Sequence, residues 1–328
     1  MKAVLKHELS GYFHSLTAYV FGAFLLVFVG IGSMLYNIQQ AVANFEYVLG
    51  FISLIFVGLV PILTMRVLAE ERKQRTDQLL YSLPITTTDI ILGKYLALLV
   101  VFLIPLVIVA FYPLIFAKFG DVYLLTSYGS LIAFFIMGAA LIAIGMFISS
   151  LTENLGMAAG ICVAVVLFNY YSVSLADYIS NSVIGSIIAL VVLILIVGLI
   201  IKILTKNDAV AAGVGAVLLI AVAVIYFAKK SVFEGLLPNI MKTLSLFERF
   251  YTFVNGVFDM TAIVFYLSVI VFFLFLCVQS LEKGGTTNEE QNSFKRWYLF
   301  YCIDSNCACN SGRGKYICPG TAVFCNPV

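Results

Sequence analysis

Apolar residues run along this chain in long stretches that short polar segments separate. Each stretch holds about 20 residues, the length that an α-helix needs to cross the hydrocarbon core of a bilayer. The pattern predicts eight membrane-spanning helices, at residues 18–36, 48–65, 95–116, 130–150, 155–173, 183–201, 209–227 and 262–281. Because eight is an even number, both ends of the chain are expected on the same side of the membrane.

Composition supports the same class. Hydrophobic residues make up 62% of the chain and charged residues 11%, whereas soluble domains carry about 25% charged residues. The mean hydropathy is +1.07. These values predict an all-α polytopic membrane protein whose surroundings are the lipid bilayer. The formal net charge of +2 gives no reason to expect a nucleic-acid partner.

The distribution of Lys and Arg orients the predicted helices. Cytoplasmic loops of membrane proteins carry an excess of these residues. With both termini in the cytoplasm, 14 of the 19 cations lie on the inner side and five on the outer side. The outer cations are Lys118, Lys229, Lys230, Lys242 and Arg249. We therefore expect cytoplasmic termini and a cytoplasmic loop between the second and third spans.

That loop, residues 66–94, is the most charged part of the first 280 residues. Leu79, Leu80 and Leu83 have the spacing of one face of a short amphipathic turn, which Pro84 ends because proline breaks a helix. Thr86 is then a predicted N-cap for the next helix, with an acidic residue three positions later. We call residues 66–94 the elbow. From the pattern alone, it is either a docking segment or an ordinary solvated loop.

Two amphipathic segments lie outside the predicted spans. Residues 1–15 place Leu5, Leu9 and Tyr12 on one face, which is typical of a helix lying flat in the membrane interface; a frayed terminus is the alternative. Residues 231–260 repeat apolar positions at helical spacing and are predicted to lie on, or dip into, the outer membrane surface. A simple surface helix is the alternative there.

The fourth span carries several glycines and ends in a polar run. Small residues such as Gly129, Gly138 and Gly145 allow helices to approach closely. The hydroxyl groups in residues 149–154 can satisfy backbone groups at the cytoplasmic mouth. In the fifth span, residues 169–172 are polar, and we interpret them as hydrogen-bonding links between helices rather than as a site.

Motifs for catalysis or ion coupling are missing from the sequence. No Asp, Glu, Lys, Arg or His falls inside the predicted spans, whereas ion-coupled carriers usually need such groups there. The sequence has no G-x-x-x-x-G-K-[ST] for ATP binding and no H-E-x-x-H for a metalloprotease. We therefore expect no enzyme activity, no cofactor and no metal site in this chain, and energy supplied by another chain.

Three stretches of the chain resemble an ABC-2 type transporter permease, close to the gliding-motility and sodium-export permeases of bacteria. The first is the elbow, from Glu70-Glu71-Arg72-Lys73 to Pro84-Ile85-Thr86 and on to Gly93-Lys94-Tyr95. The second is the end of the fourth span, from Ile144-Gly145 to Glu153-Asn154. The third runs from Ser245-Leu246-Phe247 to Asp259 and is followed by the last span.

The resemblance implies a fold and a set of partners. A six-helix core would carry an added helix pair at 183–227, an N-terminal interfacial helix at 1–15 and a cytoplasmic coupling helix in the elbow, within a transmembrane domain of residues 16–283. A cytosolic ABC ATPase would bind ATP and Mg, a second permease copy or homologue would complete a dimer, and the complex would lie in the bacterial plasma membrane.

The resemblance also implies functional residues in three groups. Those coupling to the ATPase would be Glu70, Glu71, Arg72, Thr76, Leu79, Leu80, Leu83 and Pro84. A cytoplasmic gate would comprise Ser149, Ser150, Thr152, Glu153 and Asn154, and an outer gate would comprise Phe247, Arg249, Phe250, Gly256 and Asp259.

The tail, residues 284–328, lies outside the resemblance. It holds five of the seven cysteines, spaced unlike a common zinc site. A cytoplasmic position disfavours structural disulfides. We predict a disordered extension or an aberrant end; a metal-binding appendage and a fused peptide-like segment are the alternatives.

Two functions of different classes follow from the sequence. The first is the membrane subunit of an ATP-driven exporter. The second is a membrane-anchored partner that recruits an ATPase and moves nothing. The sequence does not name a substrate.

Overall fold

The computed structural model describes residues 2–74, 86–178 and 236–304. The predicted helix pair 183–227, residues 75–85 of the elbow and residues 305–328 of the tail lie outside these ranges. Within them the chain is built from helices joined by short turns. The helices are α1 Lys2–His14, α2 Leu16–Ser33, α3 Glu46–Thr64, α4 Ala69–Gln74, α5 Thr87–Val109, α6 Phe111–Phe116, α7 Leu124–Leu151, α8 Leu155–Tyr178, α9 Leu236–Leu244, α10 Leu246–Val254 and α11 Met260–Asp304.

Six helical segments of the described chain are long and apolar enough to cross a membrane. They are Leu16–Gln39, Glu46–Gln74, Thr87–Phe116, Leu124–Leu151, Leu155–Ala176 and Met260–Glu282. Each corresponds to one of the spans predicted outside 183–227. An all-α polytopic membrane protein is therefore confirmed.

Helix α7 lies at the centre of the bundle and packs against α3, α5, α8, α10 and α11. A side chain at Gly138 would overlap the ring of Phe102, and one at Gly145 would overlap Thr64. These two glycines therefore provide the close helix contacts expected from the sequence, whereas Gly129 has open space beside its Cα.

Aromatic side chains fill the centre of the bundle. Phe56 of α3 lies 5.2 Å, between ring centroids, from both Phe102 of α5 and Phe134 of α7. Phe21 of α2 meets Phe56 and Phe102 edge-on. Such pairs stabilise a core beyond the area that they bury, and here they fix four membrane helices relative to one another.

Two membrane helices begin earlier than the hydropathy pattern predicts. Thr86 caps α5 as predicted, because its Oγ1 accepts a hydrogen bond from Asp89 N at 3.3 Å. Lys94 consequently lies two turns inside α5 and is buried, and Glu46 is the buried first residue of α3. The sequence placed both residues outside the spans. Helical structure and burial extend past the purely apolar run because these charged side chains find polar partners within the protein.

The two amphipathic segments are helical. The half-buried side chains of α1 lie on one face, which includes the predicted Leu5, Leu9 and Tyr12 and packs against α5. The segment predicted on the outer side contains α9 and α10, which pack on α8 and α7. At the other end, α11 continues through residues 284–304, the first part of the tail that the sequence predicted to be disordered.

Candidate functional site

The elbow begins where α3 ends, and one hydroxyl group fixes the bend. Helix α3 stops at Thr64, and a turn at 65–68 leads into α4. Ser149 Oγ of α7 accepts hydrogen bonds from Leu68 N at 3.3 Å and Ala69 N at 3.1 Å, and donates one to Met65 O at 3.1 Å. These contacts satisfy backbone groups that the helix break leaves without helical partners. The start of the elbow is therefore bound to the central helix.

An ion triad centred on a buried lysine joins the elbow to two other helices. Lys94 of α5 is 1% exposed, and its Nζ lies 2.7 Å from Glu8 Oε1 of α1 and 2.5 Å from Glu71 Oε1 of α4. A buried charge requires such partners, because removing it from water is costly. The triad therefore holds α1, α4 and α5 in one arrangement.

The surroundings of the triad are partly apolar. Tyr12 of α1 lies beside these carboxylates, and burial, reinforced by the negative charges of Glu8 and Glu71, raises the pKa of its hydroxyl. Tyr12 therefore stays neutral over the physiological range.

Outside the triad, Arg66 pairs with Glu70 at 3.1 Å and donates to Thr17 Oγ1 at 3.0 Å. These are exposed contacts, which contribute little to stability.

A third contact ties the elbow to the last helix. Arg72 Nη2 of α4 donates to Ser280 O of α11 at 3.4 Å. Ser280 Oγ in turn donates to Ser150 O of α7 at 3.3 Å. Helix α4 is thus connected to α1, α5, α7 and α11, so that a displacement of this short helix would act on four others.

The residues predicted to couple to an ATPase divide into two groups. Glu70, Glu71 and Arg72 lie on α4, and their side chains contact other residues of this chain, as described above. Thr76, Leu79, Leu80, Leu83 and Pro84 lie outside the described residues.

The residues predicted as a cytoplasmic gate also fall into two groups, two buried serines and a three-residue turn. Ser149 and Ser150 are buried. The Ser149 hydroxyl binds the start of the elbow, whereas Ser150 O accepts a hydrogen bond from Ser280 Oγ of α11. Thr152, Glu153 and Asn154 form the turn between α7 and α8, in which Thr152 Oγ1 accepts from Asn154 N at 3.2 Å and Asn154 Oδ1 accepts from Gly156 N at 3.0 Å.

The residues predicted as an outer gate lie in and after α10. Phe247 and Phe250 are buried against Tyr170 and Phe134, with centroid distances of 5.0 and 5.7 Å. The guanidinium carbon of Arg249 lies 4.2 Å from the ring centroid of Phe265.

The end of this segment turns into the last membrane helix. Gly256 has φ = 79°, in the left-handed region that favours glycine. Asp259 accepts hydrogen bonds from Thr261 Oγ1 and N at 2.6 and 2.8 Å, and these bonds lower the pKa of its carboxyl group. The predicted outer-gate residues therefore either pack on the bundle or shape the turn into α11.

Asn169 of α8 fixes the entry to α10. Its Oδ1 accepts from Leu246 N at 3.0 Å and its Nδ2 donates to Leu244 O at 3.3 Å. Tyr266 of α11 donates to Leu246 O at 2.7 Å. The sequence interpretation of Asn169 as a hydrogen-bonding link is confirmed, and the link connects α8 to the junction of α9 and α10.

Sequence reasoning missed Lys94 and Glu8 as functional candidates. Lys94 counts among the inner cations and lies in the first stretch of resemblance, but the sequence interpretation gives it no role and does not single out Glu8. The sequence does contain a signal for Lys94. The predicted Thr86 cap starts α5 two turns earlier, so Lys94 lies inside that helix, just ahead of the apolar run. A lysine so placed is seldom fully buried unless it is paired. The identity of its partners was not readable from the pattern.

The six apolar helices and the internally connected elbow define a multi-pass membrane protein. A protein-family comparison goes further: residues 31–229 match the model of the ABC-2 family transporter protein. This match covers more than half of the chain, and the chain belongs to that family. It is accordingly a transmembrane component of an ABC transporter. A search of curated proteins found no match.

The match also covers 183–227, the helix pair that the sequence interpretation treated as an addition to a six-helix core. It ends before α9 and α10, so the third stretch of resemblance lies beyond it. Membership of the family implies, in general terms, a partner ATPase.

Proposed function

We propose that this chain is the permease subunit of an ATP-driven exporter and that a separate cytosolic ATPase docks on the elbow. The family supports the transporter class, and the 328 residues contain no ATP-binding motif of their own. The observation that carries the docking site is the Lys94 triad. It joins the short helix α4, at the start of the elbow, to α1 and α5 through the buried Lys94 and its two carboxylate partners.

The contacts of α4 suggest how a force applied to the elbow would be transmitted to the membrane helices. Force on residues 75–85 would pass to α4, which they follow directly. From there, the triad would carry it to α1 and α5, Ser149 to α7, and Arg72 to α11. Such transmission requires contacts that do not break one at a time. The triad around the buried Lys94 meets this requirement better than exposed ion pairs do.

The proposal includes the remaining parts of the complex. Two permease copies or homologues would form a dimer with the export path at their interface, and the ATPases would bind ATP and Mg. In the bacterial plasma membrane both termini would face the cytoplasm. The α9–α10 segment would cover the outer end of the path, with Phe247 and Phe250 packed in place until the bundle rearranges.

The docking surface is tested with Leu79→Ala combined with Leu80→Ala. Burying one leucine at an interface contributes about 1.5–3 kcal/mol, so the double variant should weaken ATPase binding by at least about tenfold. The measurement is retention of the ABC ATPase in a pull-down from membranes, together with ATP-dependent transport in vesicles. A matched control is Phe119→Ala with Leu125→Ala, since these side chains are 86% and 88% exposed at the opposite end of the membrane helices.

The outcomes separate three cases. Loss of both binding and transport in the leucine variant alone supports the proposal. Unchanged binding and transport identify the elbow as an ordinary loop. Binding of an ATPase by the wild type without any ATP-dependent movement of a substrate points to the non-transporting partner instead. Glu71→Lys is unsuitable as a docking probe, because Glu71 pairs with Lys94 inside the permease.

A further inference from the structure

Glu46 is a buried carboxylate with incomplete partners. It is the first residue of α3 and 2% exposed. Its Oε1 accepts a hydrogen bond from Ser127 Oγ of α7 at 3.1 Å, whereas its Oε2 is buried and has no hydrogen-bond partner. The ion pairs found in the described chain do not include Glu46. Burial of an unpaired ion is very unfavourable, and the positive end of α3 compensates a negative charge at its first residue only in part.

Two further buried oxygens without partners lie in the same hairpin. They are Ser33 Oγ and Asn37 Oδ1, and with Glu46 Oε2 they are the buried side-chain polar atoms of the described residues for which no partner is present. All three belong to residues 33–46, which connect α2 to α3. A buried polar group without a partner calls for an explanation, and an ion or water at the site is one such explanation.

The hairpin is closed and irregular at this point. Asn37 Nδ2 donates to Val42 O at 2.8 Å, and Gly32 lies so close to α3 that a Cβ there would be 3.0 Å from Val48 Cγ1. Helix α2 continues as a π-helix over Met34–Gln39. Such wide turns occur often at functional sites, and here the turn carries Asn37 toward the loop that precedes Glu46.

The available atoms select a class of ligand. Carboxylate, hydroxyl and amide oxygens are hard ligands that suit alkali and alkaline-earth cations rather than soft metals. Of the three residues only Glu46 can carry a negative charge, and no group of three His, Cys, Asp or Glu side chains able to hold a metal occurs in the described chain. One positive charge therefore balances the site. We propose that the closed end of the α2–α3 hairpin binds a small monovalent metal cation through Glu46 Oε2, with Ser33 and Asn37 as neutral oxygen ligands.

The location gives the cation a structural role at the outer mouth. Ser127, which hydrogen-bonds Glu46, follows Thr126, and Gly256 lies against Thr126 at the end of the α10 segment. A bound cation would neutralise Glu46 where the α2–α3 hairpin, the start of α7 and the outer segment come together. This inference does not depend on the export function.

The experiment measures cation binding to the purified full-length protein in detergent. Equilibrium binding of ²²Na⁺ should be saturable and should be displaced by unlabelled Na⁺ or K⁺ but not by N-methylglucamine, which is too large for the site. Replacing Glu46 by Gln keeps the shape of the side chain and removes its charge, so affinity should fall by about tenfold or more. Glu248→Gln, which changes an exposed carboxylate of α10, should leave binding unchanged.

A second measurement keeps the test decisive if a variant is hard to purify. Wild-type thermal unfolding, followed by circular dichroism at constant ionic strength, should shift to higher temperature as Na⁺ replaces N-methylglucamine, because a ligand stabilises the state that binds it. The shift should be absent in Glu46→Gln and reduced in Ser33→Ala. The proposal is overturned if wild-type protein shows no saturable ²²Na⁺ binding. It is also overturned if Glu46→Gln binds as the wild type does, or if stability responds to pH but not to the choice of cation.

Discussion

Lys94 Nζ lies 2.5 Å from Glu71 Oε1 and joins the third membrane helix to the elbow. The lysine side chain is 1% exposed, whereas the glutamate side chain is 25% exposed. The pair, completed by Glu8, therefore spans the boundary between the bundle and the surface proposed to receive an ATPase. Its strength decides whether the elbow can move without α5.

Removal of the lysine should be costly. Lys94→Met leaves two neighbouring carboxylates without their cation, and breaking a buried ion pair in this way costs about 3–5 kcal/mol. We expect a large fall in the unfolding temperature, measured by circular dichroism in detergent. The neutral combination Lys94→Met, Glu8→Gln and Glu71→Gln should recover most of the loss, because no unpaired charge remains.

The control for that prediction is Arg66→Met. Arg66 forms an exposed pair with Glu70, and such pairs contribute at most about 1 kcal/mol. Equal destabilisation by Lys94→Met and Arg66→Met would show that the triad contributes no more to the free energy of unfolding than an exposed ion pair does.

Ser149 should matter more than its neighbour Ser150. Ser149→Ala leaves Leu68 N and Ala69 N without their acceptor, and each buried donor left unpaired costs about 1–3 kcal/mol. Ser150→Ala removes a bond to Phe147 O within its own helix and should cost about 1 kcal/mol or less. The comparison is made on unfolding temperature and on hydrogen exchange of residues 65–74. Similar exchange rates in the two variants would contradict the assignment of Ser149 to the elbow bend.

The outer segment should loosen when Asn169 is changed. Asn169→Leu removes both bonds to the α9–α10 junction, each with a net value of about 1 kcal/mol. Amide hydrogens of residues 244–254 should then exchange faster, while those of α1 on the opposite side should not. Ser172→Ala is the matched control, since the Ser172 hydroxyl donates to Asn169 O in its own helix and bonds no other helix among the described residues. Unchanged exchange in Asn169→Leu would mean that the Asn169 side chain is not needed to hold the segment.

The proposed orientation is tested by labelling single cysteines in intact cells. Thr243→Cys should react with a membrane-impermeant reagent from outside, and Gln74→Cys should react only after the cells are made permeable. Both positions are exposed, so access depends on the side of the membrane rather than on burial. The unsubstituted protein gives the background from native cysteines. Labelling at position 74 from outside would reverse the orientation and exclude docking of a cytosolic ATPase there.

Local sequence determined much of this architecture. Long apolar runs predicted the six described spans because a helix that crosses a bilayer must be apolar over its length. The Thr86 cap was predicted because the hydroxyl and the amide that it binds are only three residues apart. The apolar face of α1 and the amphipathic outer segment were readable for the same reason, since a helix repeats every 3.6 residues.

The tertiary structure alone decided which polar groups meet. Lys94 and Glu8 are separated by 86 residues, and Ser149 and Leu68 by 81. The hydropathy pattern shows that a helix is buried, but it does not give the rotation and depth at which it packs. A shift of one residue turns a helical side chain by about 100°, so the partners of Lys94, Ser149 and Glu46 depend on the final packing of the bundle.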